Sequence, residues 1–221
     1  MVLREIERLS RSQYIDQLVL ATSVDASDDG LYDVAREAGI DVYRGSLDDV
    51  LDRYYACAKE YGADHIVRVT GDCPVIDWRV SDDVIARHLT EKNDYTHMTE
   101  RFPDGLDTEV MTFAALAQAH REARLTSERE HVTLYFRNNP ERFRIGSVDC
   151  AEDYRDFRWT VDEPCDFAFV ETVYEKLYAN NKDFSMQDIL SLLKEQPDLR
   201  TLNQGIVRNE GLLKSLAEDT K

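Results

Sequence analysis

The sequence has four cysteines, at 57, 73, 150 and 165, and no two of them form a C-x-x-C pair. That excludes a zinc ribbon, and four scattered thiols in 221 residues are not the dense framework of a disulfide-stapled domain. Reduced thiols in a cytoplasmic protein are the expectation. Positive charge is scarce: 27 lysines and arginines stand against 44 aspartates and glutamates, a formal charge of −17. No local basic patch offsets this, so nucleic acid and anionic membrane surfaces are poor partners. No apolar run nears the ~20 residues of a membrane span, and Met1 leads directly into an amphipathic segment rather than a signal peptide. G-K-[ST], H-E-x-x-H and a Ser-His-Asp order are missing, which leaves P-loop, zincin and common hydrolase chemistry without support. With no repeat, low-complexity run or long linker, one domain over residues 1–221 is expected.

Hydrophobic residues make up 43% of the chain, enough for a real core. Their spacing predicts a helix over 2–12 with Val2, Leu3, Ile6 and Leu9 on its apolar face. A buried strand follows at 17–23, a helix at 28–38 closed by Gly39, and a short strand at 40–44. Ser46 and Asp49 form an S-x-x-D start for a helix reaching about Tyr61. His65–Thr70 reads as a second buried strand and 80–89 as a helix. Further strands are predicted at 94–98, 109–112, 142–148 and 158–161. Helices are predicted at 113–124, at 127–138 with a capping box from Ser127 to Glu130, at 165–179 behind Pro164, from Ser185 to Pro197, and over 208–219. Alternation of helix and strand implies βαβ units and a mostly parallel sheet. The later strands suggest an insertion or antiparallel edge over about 94–150, with a helical tail from about 198.

Ligands of such sheets lie beyond the carboxyl ends of the strands. Asp72 and Asp162 both leave predicted strands at that edge. Each alone reads more readily as a turn or helix-capping residue; together they could share one Mg2+, which needs few carboxylates beside phosphate oxygens. Arg44-Gly45-Ser46 joins a strand to a helix start and offers backbone N–H groups to an anion. Arg53, further along that helix, is by default a solvated or paired charge. The acidic loop from Phe102 to Glu109 could take sugar hydroxyls or a cation, or be a plain turn. His131 reads as structural more readily than catalytic.

Several segments taken together resemble one family. They are R-G-S at 44–46 with D-V-L-D-R-Y at 49–54, V-R-V-T-G-D-C-P-V-I-D at 67–77, F-P-D-G-L-D-T-E-V at 102–110, S-E-R-E-H-V-T at 127–133, R-W-T-V-D-E-P at 158–164 and R-N-E-G at 208–211. The chain resembles the SpsF-type, spore-coat-polysaccharide branch of the sugar-acid cytidylyltransferases, relatives of the enzymes that make CMP-activated ketodeoxyoctonate and sialic acid. The resemblance implies a Rossmann-like nucleotidyltransferase fold with a small dimerisation and sugar-site subdomain, and a homodimer. It also implies Mg2+-dependent transfer of CMP from CTP to a sugar acid with release of pyrophosphate. On this resemblance Asp72 and Asp162 hold the metal and are catalytic. Arg44, Ser46, Arg53, Gly71 and Asp72 fall on the nucleotide side. Asp104, Gly105, Asp107, Glu109 and Glu130 fall on the sugar side.

The family's opening R-M-G-S-T-R-L-P-G-K segment is not in the sequence, and Met1-Val2-Leu3 aligns just after it. The expectation is weak triphosphate binding, with unpaired backbone along 17–23 and 65–70. A non-catalytic nucleotide-sugar-binding or dimerisation module is the alternative reading, and transfer of another base or to an alcohol acceptor is a third.

Overall fold

The computed structural model describes residues 1–206, 208 and 210–219. Asn209, part of the R-N-E-G segment, lies outside the described residues. The chain opens with helix α1 (Val2–Leu9), then strand β1 (Val19–Ser23), helix α2 (Asp29–Glu37) and strand β2 (Asp41–Gly45). Helix α3 (Val50–Glu60), strand β3 (His65–Arg68), helix α4 (Trp78–Glu91) and strands β4 (Tyr95–Met98) and β5 (Glu109–Thr112) follow. Helices α5 (Phe113–Glu122), α6 (Thr126–Glu130) and α7 (Leu134–Asn138) lead to strand β6 (Ile145–Val148). Helices α8 (Pro164–Leu177), α9 (Met186–Glu195) and α10 (Glu210–Glu218) complete the chain. No helix among the described residues is long and apolar enough to cross a membrane.

The strands form two sheets. β1 and β2 pair in parallel, Val19 opposite Asp41 through Ser23 opposite Gly45. The larger sheet has the order β3-β5-β4-β6. β4 and β6 are parallel, whereas β5 runs antiparallel to both β3 and β4. Strands β3, β4 and β6 therefore share one direction, as expected for a mostly parallel sheet, and only β5 is reversed. β5 is internal, not at an edge. Its sequence explains this: Val110 and Met111 are both fully buried, so the strand needs cover on both faces. Val110 packs with Val84, Ile85, Trp159 and Phe169. Met111 and Tyr95 pack on the opposite side with Leu51, Leu116 and Phe136. Burying each such side chain is worth ~1.5–3 kcal/mol, so the two layers of helices are fastened to the sheet through its centre. Residues 94–150 supply three of the four strands of the larger sheet. β1 pairs only with β2 and β3 only with β5, so among the described residues no ladder joins the two sheets.

Several local expectations change. The buried residues of α1 are Glu5, Arg8 and Leu9, and Leu3 is exposed. Arg8 explains the altered face: it donates to the Ile76 carbonyl at 2.5 Å and the Phe184 carbonyl at 2.7 Å and lies 4.1 Å from the Phe184 ring centroid. The helix start after β2 is capped by Asp49, which accepts from the Asp52 N–H at 2.9 Å, while Ser46 Oγ accepts from the Asp49 N–H. The single helix expected over 127–138 is two short ones, separated at Val132, whose φ is +50°. Ser127 does not cap α6: Leu125 holds the N-cap position, and both the Ser127 N–H and hydroxyl donate to the Asp219 carboxylate. Residues 158–161 are not a strand. A single bridge, Asp104 to Arg158, is all the pairing they make.

Candidate active site

A cavity of about 1070 Å3 opens beyond the carboxyl ends of β3 and β4 and the amino end of β5. Asp72, in the loop after β3, lines it. Its Oδ2 accepts from Thr160 Oγ1 at 3.0 Å and its backbone carbonyl from the Val161 N–H at 2.9 Å. These two bonds carry the 158–162 segment onto the end of β3 and bring Asp162 to the same cavity. The remaining oxygen, Oδ1, has the Cys73 thiol at 3.6 Å. Burial pushes that thiol well above its ordinary pKa, so it stays protonated and donates.

Asp162 sits just ahead of Pro164, the first residue of α8. Its side chain is 58% exposed and meets Arg158 Nη2 at 2.5 Å. Its backbone N–H and that of Glu163 both donate to Asp166, which closes the start of the helix. Arg158 is 9% exposed and serves three carboxylates, Asp104 at 3.2 Å, Asp162 at 2.5 Å and Asp166 at 2.9 Å. Burial would raise the Asp166 carboxyl, but hydrogen bonds from Arg158 and Asn203 outweigh it and hold it below the usual range.

The acidic loop enters the cavity through Asp104 and Asp107. Burial pushes the Asp104 carboxyl up to about 6, against the pull of Arg208 at 3.3 Å and of Arg158. Asp107 takes Arg208 Nη2 at 2.9 Å and the Gly105 N–H at 3.1 Å. Gly105 itself does not line the cavity. At φ +103° it lets the loop cross the 158–162 segment, where a Cβ would come within 2.5 Å of the Thr160 nitrogen and 2.6 Å of the Trp159 carbonyl carbon.

Glu109 begins β5 opposite Arg68 of β3. Its Oε2 accepts from Arg68 Nη1 at 2.7 Å, and its Oε1 accepts from the Tyr95 hydroxyl and from Arg137 Nη2 at 3.1 Å. Burial favours the protonated form, but Arg68 and then Arg137 outweigh it and keep the carboxyl below its usual range. Glu130 lies outside the cavity lining and accepts from Ser215 Oγ at 2.6 Å, whereas its neighbour His131 does line it. Gly71 also lies outside the lining, as do Arg44, Ser46 and Arg53 at the turn from β2 to α3. Arg44 donates to the carbonyls of Ser23 and Asp25 and pairs with Asp29 at 2.8 Å. Arg53 donates to the Ser46 carbonyl at 2.8 Å and keeps a buried Nε without a partner among the described residues.

The structure thus gathers Asp72, Asp104, Asp107, Glu109 and Asp162 in one cavity. It sets the turn 44–46 with Arg53, and also Gly71, Gly105 and Glu130, outside its lining. Sequence reasoning missed the cations of that cavity: Arg68, Arg101, Arg137, Arg155, Arg158 and Arg208. Three of them sit inside the motifs quoted above, and their signal was an arginine within one or two residues of a strand end or an acidic turn. It also missed Glu5, whose carboxyl burial pushes up to about 9, helped by the charge of Asp72.

No group of three or more His, Cys, Asp or Glu able to hold a metal exists among the described residues. Asp72 and Asp162 suit Mg2+ in a different way. Among the described residues each keeps a carboxylate oxygen without a cationic partner, and Mg2+ is held by one or two carboxylates with water and phosphate oxygens completing its shell.

Comparison with known proteins gives this geometry its class. The cytidylyltransferase family model matches residues 1–205. Spore coat polysaccharide biosynthesis protein SpsF of Bacillus subtilis is 33% identical over 189 residues, covering 84% of this chain and 78% of that protein. The structure of a cytidylyltransferase from Leptospira borgpetersenii superposes with a TM-score of 0.87 at 30% identity, over 94% of this chain and 88% of the other. CMP:2-keto-3-deoxy-manno-octonic acid synthetase, solved with CTP, shares the fold at a TM-score of 0.60 and 11% identity, over 79% of this chain and 87% of the other. The chain belongs to the cytidylyltransferase family and has its α/β nucleotidyltransferase fold.

Proposed function

We propose that this protein transfers CMP from CTP to a sugar acid used in surface-polysaccharide synthesis, releasing pyrophosphate in the cytoplasm. The observation that carries the reading is the Val161-to-Asp72 hydrogen bond, which sets two carboxylates from distant parts of the chain on one cavity in a member of this family. Support for the substrate class comes from the polysaccharide role in the name of the Bacillus relative and the CTP bound to the synthetase that shares the fold.

In the reaction an acceptor hydroxyl oxygen bonds to the α-phosphorus, the bond from that phosphorus to the bridging oxygen breaks, and its electron pair leaves with pyrophosphate. The hydroxyl proton is released. Mg2+ held by Asp72 and Asp162 would neutralise charge that builds on the phosphate oxygens. Thr160 fixes the rotamer of Asp72, and Arg158 fixes that of Asp162. Asp104 and Asp107 accept sugar hydroxyls, with Arg208 holding their spacing. The nucleotide side, outside the cavity lining, is formed by the turn of Arg44, Gly45 and Ser46 through its backbone N–H groups, the Arg44 side chain being engaged within the fold, together with Arg53 and Gly71. The unpartnered Arg53 Nε supports this assignment. The working form is a homodimer built through the region after residue 94. Tyr95 and Phe102 of that region are buried within the protomer, so the contact uses other side chains.

The test is pyrophosphate release from CTP, UTP and GTP against a panel of sugar acids, with light scattering for mass. Release with CTP and a sugar acid is expected. Release that requires another base, or an acceptor without an acid group, would replace the reading.

A further inference from the structure

Arg158 meets carboxylates from two distant parts of the chain. Its Nε and one Nη2 hydrogen go to the two oxygens of Asp166 at 3.0 and 2.9 Å, the other Nη2 hydrogen goes to Asp162, and Nη1 goes to Asp104 of the acidic loop at 3.2 Å. Asp166 is fully buried and is also fixed by Asn203 at 2.9 Å, so that edge of the guanidinium is held fast. The same stretch grips the loop through the backbone. The Asp104 N–H donates to the Phe157 carbonyl at 2.9 Å, and the Trp159 N–H donates to the Asp104 carbonyl at 2.7 Å. The other arginines on the cavity do not make this link. Arg101 and Arg155 pair with Asp149 and Asp153, Arg208 joins Asp104 to Asp107, and Arg68 and Arg137 take Glu109. Among the described residues, Arg158 is the cation shared by the acidic loop and Asp162.

Asp162 keeps Oδ1 for an ion while its Oδ2 holds Arg158. An ion and a guanidinium on one carboxylate are like charges at close range, and they repel. Leaving Asp166 would strand a fully buried carboxylate without its counter-charge, the costly outcome for such a pair. Asp104, itself 13% exposed, is the remaining partner. The interaction that Asp162 gives up is therefore taken by Asp104. A charged Asp104 favours the ion, and by reciprocity the ion favours a firmly held acidic loop.

We propose that Arg158 is a positioning residue that couples the two sides of the cavity: with an ion at Asp162, its guanidinium bears on Asp104 and holds the loop that receives the acceptor. This rests on the reading of Asp72 and Asp162 as the Mg2+ pair. The acidic loop is then firmest when the metal is in place, and one side chain links the two events.

The test is calorimetry on the full chain with Mn2+, a cation that takes the same oxygen ligands. Asp104→Asn and Asp107→Asn each remove one charge from the same loop. Acting through Arg158, Asp104→Asn should weaken Mn2+ binding roughly ten-fold, a size usual for coupled sites. Asp107→Asn should weaken it about two-fold or less, the loss of a screened charge. Arg158→Lys keeps a cation beside Asp166 but lacks the fork that spans three carboxylates. In that background the two aspartate substitutions should weaken Mn2+ binding equally. Thermal unfolding reports whether each variant is folded, and if Arg158→Lys is not, the first comparison decides. Equal effects of the two substitutions beside the native Arg158 overturn the coupling and leave the metal pair standing. So does a difference that persists in folded Arg158→Lys. A native chain that binds no Mn2+ removes the metal pair, and the coupling with it.

Discussion

The β1–β2 unit and the wall of the cavity use arginine in opposite ways. In the first, Arg44 spends its donors on two backbone carbonyls and pairs with Asp29. In the second, Arg68, Arg137, Arg158 and Arg208 are held chiefly by carboxylates that line the cavity, Arg208 Nη1 also donating to the Glu100 and Phe102 carbonyls. The residue type is the same, and what separates scaffold from site is whether its acceptors are mainly backbone carbonyls or carboxylates of the cavity. Four substitutions break or sharpen that contrast.

Asp162→Asn should have the largest effect. Its carboxylate is exposed and its helix-starting role is carried by its backbone N–H, so unfolding should stay near wild type. Turnover, measured as pyrophosphate release, should fall on the order of 10²- to 10³-fold, the usual cost of removing one charge-stabilising group. Wild-type turnover would move Asp162 to the scaffold side.

Gly105→Ala should act through the fold. The left-handed φ and the 2.5 Å approach to the Thr160 nitrogen predict a loss of about 3 kcal/mol in denaturant unfolding, at the upper end for backbone strain. A loss below ~1 kcal/mol would mean that the loop can shift away from the 158–162 segment at little cost.

His88 tests the interior. It is fully buried under the sheet, with ring nitrogens 3.0 Å from His65 Nδ1 and 3.1 Å from Thr96 Oγ1. Burial, then the neighbouring His65, lowers its pKa from 6.5 to about 4. The unfolded chain therefore binds the proton first as pH falls. The contribution of neutral His88 is complete above pH 6.5 and is lost progressively down to pH 4. The drop across that window, about 2 kcal/mol, should be largely absent in His88→Gln. An unchanged slope in that variant would assign the acid sensitivity to other groups.

Arg44→Ala should be the smallest of the four, a loss of about 1–2 kcal/mol in unfolding stability for bonds that are partly exposed. A normal melting temperature would show that the β1–β2 unit does not depend on its arginine, and the contrast with the cavity would fail.

Most helices could be read from the sequence because their signals are local. Asp49, Thr112 and Ser185 cap α3, α5 and α9, and Pro164 opens α8. The family and fold followed from motifs whose order spans the chain. The reversed direction of β5 could not be read, since four residues from Glu109 to Thr112 carry no signal of polarity. Nor could the buried face of α1, where Arg8 finds carbonyls that are 68 and 176 residues away. Asp72 was visible as the carboxylate after a strand, whereas Asp162 was reached through its motif and follows a segment that is not a strand. The arginines opposite them were not visible, because a cation's role depends on which carboxylates reach it across the fold.

The break at Val132 has a consequence for what the cavity can present. His131 and Arg137 are six residues apart, and a continuous helix would turn them about 240° from each other, at ~100° per residue. One would then face the cavity while the other faced the core or solvent. The left-handed step at Val132 resets the rotation between α6 and α7, and both side chains reach the same opening. An unbroken helix here, however stable, could aim only one of the two at a ligand.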